Sequence, residues 1–165
     1  MLRFVGSILV LLGAATLAQE EVTPAPADSI VVWKAQRELR VYKGGQVTQA
    51  SRIALAREAE GDKLCQGDRK TPEGRYKINF RNAQSLYHLS LRISYPSAAD
   101  RRESRAAGCD PGGEIMIHGM PNSFPDWGVD GVSRDWTAGC VALTNEGMDS
   151  VWSVARVGTI VVIHP

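Results

Sequence analysis

The sequence of 165 residues is poor in cysteine and histidine, with three of each, and only 7% of it is aromatic. It also lacks a dominant charge. Lys and Arg total 19 against 18 Asp and Glu, and Arg3 is the one charged residue among the first 18, so the remainder is neutral. Neutrality argues against electrostatic capture of nucleic acid or of an anionic membrane surface. No Cys or His pair shows short ligand spacing such as CxxC or HxxxH, which argues against a metal centre. No apolar run beyond residue 17 is long enough to span a bilayer, and repeats and low-complexity tracts are missing. With 44% hydrophobic residues, 16 Gly and 8 Pro, collagen, coiled coil and wholesale disorder are excluded.

What is present divides into three parts. Arg3 precedes an uncharged, mostly apolar run from Phe4 to Leu17 that ends in small residues, the pattern of a secretory signal peptide over residues 1–18; the alternative is an uncleaved single-pass anchor, for which the run is short. Residues 19–28, with two Pro in EEVTPAPAD, read as a short tether, and residues 29–165 as one folded domain. An exported chain of this kind is expected in the periplasm, with no integral membrane span once the signal is removed.

The domain reads as mainly β. Ile30–Trp33 and Glu38–Tyr42 are strands, Gly44-Gly45 signals a hairpin, and a third strand is expected from about Val47 to Ala56. Arg75–Phe80 would place Tyr76, Ile78 and Phe80 on one face. Tyr87–Tyr95 would do the same with its odd-numbered residues, setting His88 opposite Leu89 and Leu91. Glu114–Ile117 is an apolar strand that His118 ends, and Thr159–Ile163 is a buried strand. Two short helices are expected: Ser97–Ala107, with a serine N-cap and a stop at Gly108, and a segment after Asn145 spacing Met148, Val151, Trp152 and Ala155 on one face.

Three cysteines cannot all pair within one exported molecule. Cys65 and Cys109 lie in polar loop contexts, so they are the expected disulfide. Cys140 sits in the small-residue turn TAGCV ahead of an apolar strand and is the leftover thiol. Alternatively all three are reduced and Cys140 is a buried core thiol. A reactive cysteine needs a base, because the thiolate is the nucleophile. Of the three histidines, His88 and His164 read as solvent-facing, whereas His118 stands at a strand end beside Gly119 where a loop opens.

The series Lys70-Thr71-Pro72-Glu73-Gly74-Arg75-Tyr76, Ile117-His118-Gly119 and Thr137-Ala138-Gly139-Cys140-Val141 resembles the L,D-transpeptidase catalytic domain (YkuD) family, and its YafK-like branch in the 22-residue separation of His118 from Cys140. The resemblance implies a mostly β, sandwich-like catalytic domain without a cofactor, acting on peptidoglycan stem peptides by acyl transfer. It implies Cys140 as nucleophile, His118 as general base and acid, and the Gly119 carbonyl as the group orienting the ring. Backbone N–H groups at Gly139 and Cys140 would form the oxyanion site. Two departures stand out: Ala138 replaces the second His of the common SHGC pattern, and Ala142 stands where an Arg would follow. They leave open an L,D-endopeptidase or amidase with the same pair, or a non-catalytic wall-binding domain. A cysteine activated to low pKa would react with iodoacetamide well below pH 8; an inert buried thiol would not. Arg134, Asp135, Trp136 and Thr137 are candidates for the substrate groove. Phe124 and Trp127 either form a lid or pack their loop onto the domain, and Tyr87 and Tyr95 are core or groove wall. Arg101, Arg102 and Arg105 read as a solvated helix face.

Overall fold

The computed structural model describes residues 24–124 and 130–165. The expected signal segment, the first part of the tether and Trp127 lie outside the described residues. Backbone pairing begins at Ala27, whose N–H donates to Val154 O, followed by Asp28 to Tyr42 O.

Eight strands and two helices follow in the order β1 (Ser29–Trp33), β2 (Glu38–Lys43), β3 (Gln46–Arg52), β4 (Gly74–Asn82), β5 (Ser90–Ile93), α1 (Ala98–Ala106), β6 (Met116–His118), β7 (Val141–Ala142), α2 (Asn145–Val154) and β8 (Ile160–His164). The strands form one sheet in the order β3-β2-β1-β8-β4-β5-β6-β7. It curls on itself: past β3, Ala54 exchanges backbone bonds with Ala142 of β7 (2.9 and 2.8 Å), and Leu55 O accepts the N–H groups of Trp136 and Thr137. The inner face carries the alternating apolar residues of the strands, Ile30 and Val32, Leu39 and Val41, Tyr76 and Ile78, Leu91 and Ile93, Val161 and Ile163, with Met148 and Val151 of α2 and Ala155 at its C-cap completing the core. Period-two burial of this kind follows from side chains alternating between sheet faces.

Both helices are capped by their own sequence. Ser97 accepts the N–H groups of Ala99 and Asp100 while Asp100 reaches back to the Ser97 N–H, a capping box. Thr144 caps α2 through the Gly147 N–H.

Three strand expectations are corrected. The third strand ends at Arg52; residues 53–56 run on, fully buried, as the seam that closes the sheet. Phe80 is 49% exposed rather than inward, because β4 has a register shift between Ile78 and Phe80 that reverses the alternation. The strand expected over Tyr87–Tyr95 is confined to Ser90–Ile93, since His88 adopts φ +60 and turns the chain.

Candidate active site

His118 is the last residue of β6 and is buried; Cys140 directly precedes β7 and is partly exposed. β6 and β7 run parallel, with Ile117 opposite Val141 and His118 opposite Ala142, so the two strands deliver imidazole and thiol to one end of the sheet. Both line a cavity of about 370 Å³ whose wall also includes Tyr87, Ser90, Glu114, Met116, Trp136, Thr137 and Ala138.

The imidazole is fixed on two sides. Its Nδ1 lies 2.7 Å from Gly119 O. A carbonyl only accepts, so Nδ1 carries the proton and Nε2 keeps a lone pair. Gly119 is itself held by close packing: its N–H donates to Tyr87 O and Leu89 O, and an added Cβ would fall 2.7 Å from Asn145 Oδ1 and 2.9 Å from the His88 Cβ. Tyr87 packs on the ring at 4.6 Å between centroids and Trp136 meets it edge-on at 5.8 Å. Burial holds the imidazolium pKa below its ordinary 6.5, against the weaker opposing effect of the Gly119 bond.

The thiol faces backbone. Cys140 Sγ lies 3.7 Å from Glu114 O. Burial pushes its pKa up, partly offset by the Met116 N–H directed at the sulfur. Both directions favour a neutral thiol and a neutral imidazole at rest, for which slow alkylation below pH 8 is expected.

Thr137 braces the turn that carries the cysteine. Its Oγ1–H donates to Cys140 O at 2.8 Å and the oxygen accepts the Gly139 N–H at 3.2 Å. Gly139 has φ +155, and a Cβ there would lie 2.8 Å from Ile115 Cδ1 and 3.2 Å from Lys70 O, which explains a glycine beside the thiol.

The remaining sequence candidates separate. Trp136 and Thr137 line the cavity; Arg134 is exposed and does not. Asp135 faces away, forking with Arg37 (2.7 and 2.9 Å) and accepting the Leu55 N–H at 2.8 Å. Tyr87 is groove wall, whereas Tyr95 is core, its hydroxyl donating to Pro111 O. Phe124 is 53% exposed. His88 pairs with Asp149 at 2.7 Å and His164 stacks on Trp33, both away from the cavity. Cys65 and Cys109 are joined in a disulfide. Ala138 is exposed at the cavity, while Ala142 is wholly buried in the seam, so no side chain of arginine size fits there. Among the described residues no group of three His, Cys, Asp or Glu could hold a metal ion.

Sequence reasoning missed the Arg37–Asp135 fork, which joins residues 98 apart, and the Glu114 and Met116 backbone atoms at the thiol. A long-range fork has no local signal, and backbone contacts leave no residue-type signature. The alternation that took His88 for a strand residue hid the turn that brings Tyr87 onto His118.

Residues 27–163 match the L,D-transpeptidase catalytic domain family, YkuD. The chain is 33% identical over 129 residues to YafK of Escherichia coli, which carries an L,D-transpeptidase name; the match takes in 74% of this chain and 45% of that protein. The chain thus spans about half the length of the curated relatives it matches. Among solved structures, it superposes on the helical cell shape determining protein Pgp2 from Campylobacter jejuni with a TM-score of 0.61 at 25% identity, over 89% of this chain and 52% of that one. An L,D-transpeptidase from Mycobacterium tuberculosis shares the fold, with a TM-score of 0.56 at 16% identity over 85% and 58% of the two chains. A curled, mainly β domain with these neighbours, matched from Ala27 to Ile163, belongs to the L,D-transpeptidase catalytic domain (YkuD) family.

Proposed function

We propose that this chain is a cysteine-dependent L,D-transpeptidase acting on peptidoglycan stem peptides. One observation carries the reading: His118, its Nδ1 proton committed to Gly119 O, shares a cavity with the thiol of Cys140. When the carbonyl of an L-centre next to a D-residue enters the cavity, Nε2 takes the thiol proton as Sγ adds to the carbonyl carbon. The oxyanion is held by N–H groups of the 139–140 turn, the Gly139 N–H giving up its long bond to Thr137 Oγ1. Collapse breaks the C–N bond, the imidazolium returns its proton to the leaving amine, and a thioester remains on Cys140. An acceptor amine then attacks the thioester and passes a proton to Nε2, which returns it to the departing sulfur, restoring the neutral thiol and imidazole. Water in place of the amine gives hydrolysis.

Export to the periplasm fits the N-terminal apolar run, and among the described residues no helix is long and apolar enough to cross a membrane. The likeness to a cell-shape protein fits a role in wall remodelling.

The test is to incubate the protein and its Cys140→Ala variant with purified tetrapeptide muropeptides and to separate products by liquid chromatography with mass detection. New 3,3-linked dimers or exchanged D-amino acids, absent with the variant, are the expected result. Loss of D-alanine or cleaved cross-links without new bonds would make the chain a hydrolase. Full turnover by Cys140→Ala would sink the cysteine mechanism, and no turnover by either protein would favour a wall-binding domain.

A further inference from the structure

Two loops meet around Cys140. The first, residues 63–70, is organised by Asp68, whose carboxylate accepts the N–H groups of Leu64, Cys65 and Lys70 at 2.8 to 3.0 Å and pairs with Lys63 at 2.7 Å. Its last residue puts Lys70 O against Gly139, in the turn that carries the thiol. The second loop, residues 107–115, leads from α1 to β6; it supplies the Glu114 carbonyl, and the first residue of β6 the Met116 N–H, that the sulfur faces.

The second loop is tied to β5 at its far end, where Ile115 O accepts the Ile93 N–H at 3.0 Å and Glu114 pairs with Arg92 at 3.1 Å, and to Tyr95 at Pro111 O; the rest of its backbone is glycine-rich. Gly108, Gly112 and Gly113 lie in it, Gly108 and Gly112 at φ +73 and +74, and Glu114 also takes a positive φ of +55. Glycine-rich backbone loses more freedom on ordering than any other. Besides the disulfide, the loops touch through the Gln66 N–H to Asp110 O at 2.7 Å and through Gly112 packed on Gln66, where an added Cβ would lie 3.2 Å from Cβ and Cγ. Cys65–Cys109 is the covalent link between them.

We propose that the Cys65–Cys109 disulfide is a positioning element of the reaction: it clasps the two loops that frame Cys140, so the thiol is set for turnover only in the oxidised chain. Reduction by a dithiol breaks the S–S bond, leaves two cysteine thiols and converts the reductant to its own disulfide. The 107–115 loop then loosens, and the Glu114 carbonyl that the sulfur faces drifts from it. The effect on turnover rests on the reading of Cys140 as nucleophile; access to its thiol does not.

The experiment compares the protein with Cys65→Ser/Cys109→Ser, in which Cys140 is the one thiol, and with Ile30→Ala, which weakens the core on β1 away from both loops. Muropeptide turnover and the rate of iodoacetamide labelling of Cys140 at pH 7.5 are measured at 20 °C. Turnover at least tenfold lower, with labelling at least threefold faster, is expected for the double variant and not for Ile30→Ala. Unchanged turnover and labelling, or equal changes in Ile30→Ala, would overturn the proposal. Should the double variant not fold, the unaltered chain reduced with a dithiol, freed of the dithiol and compared with its oxidised form decides, with Cys140 labelling read by peptide mass mapping: lower turnover with faster labelling on reduction supports the clasp, and no change in either rejects it. If Cys140→Ala retains turnover, the catalytic reading fails, and labelling alone still decides whether the disulfide frames the thiol.

Discussion

Burial acts in the same sense on His118 and Cys140, because each loses water around its charged form and each is held uncharged at neutral pH. On the proposed mechanism the proton then moves only as the sulfur attacks. The pH-rate profile of kcat/KM should accordingly lose activity on the acid side below the ordinary histidine value of about 6.5, with a flat top through neutrality. An acid limb centred above pH 7 would contradict the buried neutral imidazole. Stability carries the same signature. The folded state binds the His118 proton less readily than the unfolded chain, so its contribution is present above about pH 6.5 and is lost as the pH falls through the lowered folded value. Urea unfolding at pH 7 and pH 5 should show a fall in midpoint, and His118→Asn should make that fall shallower. Had the imidazole been solvated, the variant would not alter the slope.

At the scale of elements, the loop ahead of Cys140 is tied down from behind. Arg37, in the turn between β1 and β2, and Asp135, just ahead of the Trp136 that touches His118, form a fork that also anchors the seam at Leu55. Charge-assisted, bidentate bonds of this kind are partly exposed here, so the net contribution is about 1–2 kcal/mol. Asp135→Asn should lower the melting temperature by about 3–8 °C and cut turnover about tenfold through misplacement of Trp136, measured by calorimetry and the muropeptide assay. An unchanged turnover would mean that the seam alone places the loop. The elements themselves were legible wherever alternation matched burial, as in β1, β2 and β8. They were misread where a local backbone event overrode it: the register shift before Phe80 and the positive φ at His88. That Cys140 and His118 share a cavity was legible because their residue types and flanking glycines mark them out in the sequence. Arg37, Tyr87 and the Glu114 carbonyl were not, because only the closed sheet brings them to the site.

At the scale of the whole molecule, closure of the sheet is what makes one cavity out of residues from distant parts of the chain, and the closing contact is narrow. Ala54 and Ala142 exchange two backbone bonds, with Met120 and Val132 packed around them, and Ala142 is 0% exposed. The seam explains why the arginine of the common family pattern is absent at this position: its side chain would have to enter a space already filled by small residues. Overpacking costs about 1–3 kcal/mol, and an unpaired buried cation adds several more, together comparable to the whole stability of a domain. Ala142→Arg is therefore expected to abolish the cooperative thermal transition rather than to restore the family's chemistry. Ala138→His, at the exposed edge of the cavity, should leave the melting temperature within about 2 °C. Circular dichroism melts of the two variants test this directly. If Ala142→Arg melted like the unaltered chain, the seam would have to open to let the guanidinium out, and the joined ends of the sheet could not be what holds His118 and Cys140 together.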